Sequence, residues 1–477
     1  MPLIRPETLE DRLERRRASG RASAIPRRAG PGPSPLSSAQ QRMWFLQQWD
    51  PAAPTFNGCR AIRLRGAIDV DALRRALVHL VERHDTLRTV FALDGREPLQ
   101  LALEDWGLDL PVVDLSGLGH GEREAELGTL LHDLAREPFD LGRDLMLRAT
   151  LFHLAPDEHV LLLRLHHIAA DGFSDAVLNA DLSAAYAAYR AGREPDLPHL
   201  PIRYADYALW ERNRLAGEEL ERLLAYWTGQ LEGAPPLLAL PTDRPRPAVQ
   251  RHEGAHRPVA LDAALGDGLA ALARAEGATF FMAALAAFAT LLYRRSGQDD
   301  IVVGSPIATR TAVELQTLVG FFTNTLALRL RFGGNPTFRE AIRRAREVAL
   351  GAYAHQELPF EKVVEALRQP RDASRNPLFQ VNLRAQTGPR PTLRLDGVEG
   401  EPLPVDIGFS RFDLALELQA EPGALHGFVE YDRDLFDAET VDGLAGDLAT
   451  LLARAIAEPD TPILALPLAG GRRPARA

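Results

Sequence analysis

The stretch Leu165–Phe173 reads LHHIAADGF, and three kinds of chemistry suit its residue types. His166 and His167 are adjacent, Asp171 lies four positions beyond His167, and Gly172 follows it. The set offers a catalytic histidine supported by a carboxylate, half of a metal site, or a polar turn that closes a strand. The preceding HVLLLRLHH reads as a strand, so successive side chains face opposite ways and the two histidines do not share a pocket. Neighbouring strand histidines chelate one ion poorly, and no third ligand lies nearby, which disfavours a metal. In the turn reading Asp171 caps a backbone amide and the histidines are core residues. In the catalytic reading a histidine at a strand end, with an ordinary pKa of roughly 6.5, takes a proton from an attacking amine or hydroxyl. Taken alone, these residues leave both readings standing.

Several other chemistries lose support. The chain has no Gly-x-Ser-x-Gly elbow and no glycine-rich phosphate loop, which sets aside a serine-hydrolase triad and nucleotide chemistry. A formal charge of -10 and a pI near 5.8 argue against nucleic acid as a partner. The 46% hydrophobic and 25% charged content are those of a soluble globular chain. Cys59 is the only cysteine, so no intrachain disulfide and no cysteine-rich zinc site form, and a reducing cytoplasm is expected. No secretory signal is read at the N-terminus. The longest apolar run, ATFFMAALAAFATLLY from Ala278 to Tyr293, is shorter than the roughly 20 residues that cross a bilayer. With Thr279 as its cap and Gly297 as its stop, it predicts a buried core helix rather than a membrane span.

At 477 residues the chain is too long for one ordinary core, and two lobes are expected. Residues 1–34 read as a flexible arm, with a short helix at PETLEDRLERRR before a Pro- and Gly-rich linker. CRAIRLRG alternates as a strand ending at Gly66. DVDALRRALVHLVERH then places Leu73, Leu77 and Leu80 on one helical face behind an Asp69 N-cap. LMLRATLFHL and HVLLLRLHH flank the turn APDE and predict an antiparallel hairpin. A helix follows, capped by Ser174 and stopped by Gly192, and another is expected around EELERLLAYWTGQL. The expected division is an N-terminal lobe at 35–210, a C-terminal lobe at 211–465 and a tail at 466–477.

The company that LHHIAADGF keeps carries a resemblance. SSAQQRMWFL begins at Ser37, RHDTLRTVF at Arg83, LHHIAADGFS at Leu165 and YADYALW at Tyr204. VGFFTNTLALR begins at Val319, HQELPFEKVVEAL at His355 and RDASRNPLFQV at Arg371. Seven motifs in this order, from about Leu36 to about Pro459, closely resemble the condensation domains of nonribosomal peptide synthetases, within the chloramphenicol-acetyltransferase-like acyltransferases. The resemblance implies an α/β (α+β) fold of two such lobes, a V-shaped pseudodimer with a central tunnel. It also implies donor and acceptor peptidyl carrier proteins as partners, each presenting a 4'-phosphopantetheine arm, with an adenylation domain as a further partner. No cofactor bound by the chain itself, no nucleic acid, no membrane and a monomeric state are expected. The acceptor amine would attack the donor thioester to form an amide.

Site roles follow by motif position. The resemblance makes His167 the catalytic histidine, either as general base or as the group that positions the amine, and His166 structural. It makes Asp171 half of a buried ion pair with either Arg88 or Arg310. Gly172 would let the backbone approach the thioester, and Asn324 would stand near the tunnel or make a strand-end hydrogen bond. YADYALW and RHDTLRT would mostly pack. The paired aspartates of heterocyclising relatives are missing, and Ser174 is followed by Asp175 rather than the tryptophan of epimerising ones, so an L-to-L condensation subtype is expected. With no adenylation or carrier domain attached, the chain reads as free-standing or excised. Two rival expectations are an acyltransferase that hands a carrier-bound acyl group to a soluble amine or alcohol, and a catalytically silent docking module.

Overall fold

The computed structural model describes residues 25–369, 372–388 and 392–469. The helix expected at PETLEDRLERRR, most of the arm at 1–34 and most of the tail at 466–477 lie outside the described residues. The chain divides into two compact α/β units. The first takes the described residues up to Ala216, then Ala308–Thr323 and a segment ending at Val405. The second takes Gly217–Ile307, a segment starting at Asn324 and another starting at Asp406.

The first unit is built on a five-stranded sheet in the order β12 (Glu399–Leu403), β2 (Asn57–Arg65), β7 (Glu158–His166), β6 (Leu147–Ala155), β5 (Val112–Asp114). β12, β2, β7 and β6 run antiparallel to their neighbours, and β5 joins β6 in parallel. The β6–β7 hairpin is the one expected around APDE. Its period-two pattern is read by helices on both faces. Leu147, Leu151, Leu161, Leu163 and Leu165 pack under α2 (Val70–Arg83) and α4 (Ser174–Arg190), whereas Phe152, Leu154, Val160 and Leu162 face α3 (His120–Arg136). Asp69 caps α2 by accepting from Ala72 N at 2.9 Å. Two smaller helices matter below: α1 (Ser38–Trp49) and α5 (Tyr204–Arg214).

The structure corrects the simple lobe boundary of 35–210 and 211–465. The first unit runs on to Ala216, and two stretches expected in the C-terminal lobe belong to it. Their reasons are visible: β12 completes the sheet by pairing with β2 from Glu399↔Arg65 to Leu403↔Ala61, and Ala308–Thr323 carries an arginine bonded to Asp171.

The second unit holds a six-stranded sheet. Its order is β10 (Thr323–Arg331), β9 (Asp300–Ala308), β11 (Val381–Thr387), β13 (Leu414–Glu421), β14 (Ala424–Asp432), β8 (Gly254–Pro258). The helices of this unit include α6 (Gly217–Leu231), α7 (Ala263–Ala275), α8 (Phe280–Ser296), α9 (Phe338–Ala354), α10 (Phe360–Leu367) and α11 (Ala438–Ala457). α8 is the predicted Ala-rich helix. Thr279 accepts from Met282 N, Gly297 ends it in the left-handed region at φ 76°, and nearly every residue between is buried. Among the described residues no single helix is long and apolar enough to cross a membrane.

Candidate active site

β7 ends at His166, opposite Asn57 of β2, and the chain then turns through 167–173 into α4. Strand parity separates the histidines as expected. His166 is fully buried, with its ring edge-on to Phe56 and Phe139. Its Nδ1 accepts from Ile168 N at 3.1 Å, so the proton sits on Nε2, 3.3 Å from Gln47 Oε1. His167 is half-buried, and its backbone N–H donates to Phe56 O at 2.8 Å. Its Nδ1 lies 3.3 Å from Ala170 O. A carbonyl only accepts, so Nδ1 carries the proton and the lone pair is at Nε2, the tautomer a proton acceptor needs. Phe321 sets one side of the ring at a centroid distance of 6.3 Å. A Cβ on Gly58 would lie 3.9 Å from Cε1, so that glycine leaves room beside the imidazole.

Asp171 is the centre of a buried network. Oδ1 accepts from Ser174 N at 2.9 Å, Ser174 Oγ at 2.8 Å and Arg310 Nη2 at 3.0 Å, and Oδ2 accepts from Phe322 N at 3.0 Å. Both ion-pair side chains are 2% exposed. Arg310 also donates through Nη1 to Leu315 O and Leu318 O, and its guanidinium lies over the rings of Phe322 and Phe173 at 4.1 and 4.6 Å. Of the two candidate partners it is therefore Arg310 that meets Asp171. Arg88 lies at the end of a short 3-10 turn and donates to Leu103 O at 2.6 Å, away from this network.

Ser174 corrects a second expectation. It is not the cap of α4 but its first residue, and Phe173 stands at the N-cap without a side-chain hydrogen bond. Its hydroxyl accepts from Gly320 N at 3.2 Å and from Arg310 Nη2 at 3.0 Å. The Gly320–Phe322 strap is held further on. Tyr204 of the YADYALW motif donates to Phe321 O at 2.5 Å, and Thr309 Oγ1 donates to Phe322 O at 2.7 Å. A Cβ on Gly320 would fall 2.1 Å from the Tyr204 ring, so only glycine fits. Burial pushes the Tyr204 hydroxyl well above its usual range, which keeps it a donor. Sequence reasoning reads this tyrosine as packing; its bond joins residues 117 positions apart, and no local pattern signals that.

The remaining expected residues divide. Gly172 is exposed, and a Cβ there would meet nothing within 4 Å, so protein packing does not require the glycine. Asn324 adopts the strand-end role. Its Nδ2 donates to Gln356 O at 2.8 Å and Leu358 O at 2.7 Å, and its Oδ1 accepts from Thr325 N and Phe360 N. That amide pins the HQELPF turn to β10 and has its hydrogen-bonding capacity engaged. Cys59 points to the sheet face opposite Gly58, and burial pushes its thiol up to about 11, which removes it as a thiolate nucleophile near neutral pH. Among the described residues no group of three or more His, Cys, Asp or Glu is placed to hold a metal ion.

The candidate centre of this mixed α/β chain is thus a half-buried histidine just past the end of β7, in a loop clamped by a buried ion pair. The chain belongs to the condensation domain family, whose model matches residues 32–471. It is 48% identical over 436 residues to a linear gramicidin synthase of Brevibacillus parabrevis, a match that covers 91% of this chain and 6% of that protein. It is 41% identical over 462 residues to the phosphinothricin tripeptide synthetase PhsC of Streptomyces viridochromogenes, covering 96% of this chain and 42% of that one. The chain thus spans less than half of each of these synthetases, and its relatives are nonribosomal peptide synthetases. Among solved structures, the X-domain from teicoplanin biosynthesis superposes with a TM-score of 0.85 at 32% identity over 93% of this chain and all of that one. The first condensation domain of the calcium-dependent antibiotic synthetase shares the fold, with a TM-score of 0.77 at 23% identity over 92% and 99% of the two chains.

Proposed function

We propose that this condensation domain joins a carrier-bound acyl or peptidyl thioester to a carrier-bound aminoacyl group, forming an amide by L-to-L condensation in the cytoplasm, with His167 at the reacting amine. The observation that carries the reading is the His167 tautomer: Nδ1–H bonded to Ala170 O leaves Nε2 as the acceptor in a loop held by Asp171 and Arg310. The amine nitrogen attacks the thioester carbonyl, Nε2 takes or orients the proton that the amine sheds, the C–S bond breaks, and that proton returns to the leaving sulfur. An α-amino group has a pKa of roughly 7.7–8.0, so part of it is neutral without help, and the positioning share of His167's role is large in that case. The exposed Gly172 backbone suits a thioester arm passing close by, since a side chain there would obstruct it.

The test supplies a loaded donor carrier protein with acceptors both carrier-bound and free, and follows acyl transfer by intact-protein mass spectrometry. Transfer to a carrier-bound aminoacyl group, reduced about 10²–10⁴-fold in His167→Ala, is the expected result. Transfer only to free amines or alcohols replaces the acceptor half of the reading. No transfer to any acceptor, or full transfer by His167→Ala, overturns it in favour of a docking module.

A further inference from the structure

The inward face of β2 changes character toward His167. Period two places Leu64, Ile62, Arg60 and Gly58 on that face: two core aliphatic residues, then a cation, then no side chain at all. α4 sets Leu178 and Leu182 into the same core and brings Asp175, in its first turn, and Asn179 alongside Arg60. Arg60 Nη1 lies 3.2 Å from Asn179 Oδ1 and 3.3 Å from Asp175 Oδ1. Its Nε and Nη2 are shielded from solvent and have no hydrogen-bond partner among the described residues. Behind the guanidinium stand Leu77, Leu80, Leu147 and Leu163, none of which offers an acceptor. A buried donor left without an acceptor is costly, and such groups in a stable protein call for a specific explanation.

We propose that Arg60, steadied by Asp175 and Asn179, is a specificity-determining residue that hydrogen-bonds an acceptor oxygen in the side chain of a substrate lying beside His167. The inference rests on the condensation reading above and deepens it. The two unpartnered donors suit a carboxylate or amide oxygen. Burial raises the Asp175 carboxyl, against the pull of Arg60, and the nearby Asp171 carboxylate adds to that rise.

The experiment is a competition. Donor and acceptor carriers are loaded in turn with glutamate, glutamine or leucine, and the ratio of kcat/KM for each polar side chain over leucine is read by mass spectrometry. For the wild-type chain the ratio exceeds one on one of the two sides. Arg60→Met, which keeps the aliphatic stem and loses the donors, lowers it about tenfold or more. Asp175→Asn, which removes the competing charge, raises the glutamate-to-glutamine ratio. Thermal unfolding of each variant establishes that it is folded. Ratios equal in the wild type, Arg60→Met and Asp175→Asn on both sides overturn the inference while leaving the condensation reading intact. Absence of transfer by the wild type for every pair overturns the reading itself.

Discussion

Replacing Asp171 by asparagine removes one charge and almost no volume, so its cost reports the network rather than the packing. The carboxylate accepts four hydrogen bonds, three at Oδ1 and one at Oδ2. An amide has one accepting oxygen, so its NH₂ must face either Phe322 N–H or the cluster of Ser174 and Arg310 donors. In both orientations Arg310, 2% exposed, loses its counter-charge. Breaking a buried pair on one side costs about 3–5 kcal/mol, against a typical total stability of roughly 5–15 kcal/mol. Urea titration of Asp171→Asn, Arg310→Met and the double variant measures this directly. The double variant strands no charge at this position, so its loss falls short of the sum of the single losses by about 1.5 kcal/mol or more. A loss under about 1 kcal/mol in Asp171→Asn, or strict additivity, would refute the ion-pair reasoning.

Asn324→Ala removes four hydrogen bonds in the second unit and lowers stability by about 2–4 kcal/mol, with kcat of the folded fraction unchanged. Loss of turnover in a fully folded variant would show that Asn324 has a part in the chemistry. His256 bonds to Asp406 and Glu430, which raise it from 6.5 to about 9. Because the folded value lies above the unfolded one, its stabilisation is full below pH 6.5 and is lost as the pH rises through about 9. The melting-temperature gap between the wild type and His256→Asn therefore narrows across that window, and a gap equal at its two ends contradicts the assignment.

Local chemistry is legible where a few neighbouring residues decide the outcome. The parity of His166 and His167, the Asp69 and Thr279 caps and the β6–β7 hairpin all follow from spacing, and the structure contains each of them. Pairings across long stretches of chain are not legible. Arg88 and Arg310 are equal candidates for Asp171 until the fold brings one of them across 139 positions. The same limit hides the return of Ala308–Thr323 to the first unit and the bond from Tyr204 to Phe321. Ser174 looks like a helix cap, one position out of register, because a serine before an apolar run is the usual cap, and two of its hydroxyl's partners, Gly320 and Arg310, lie far along the chain.

The late return of two segments has a consequence for how the molecule is made. A ribosome adds roughly 5–20 residues per second. The 139 positions between Asp171 and Arg310 therefore correspond to roughly 7–28 seconds of synthesis during which the histidine loop lacks its cation. β12 emerges later still, and until it docks, β2 is an open edge ready to pair with any passing strand. The first unit is finished only when residue 405 has left the exit tunnel. A recombination junction placed from 217 to 307 would separate His167 from the segment that carries Arg310, one from 324 to 390 would separate β12 from β2, and only a junction after 405 moves the first unit whole.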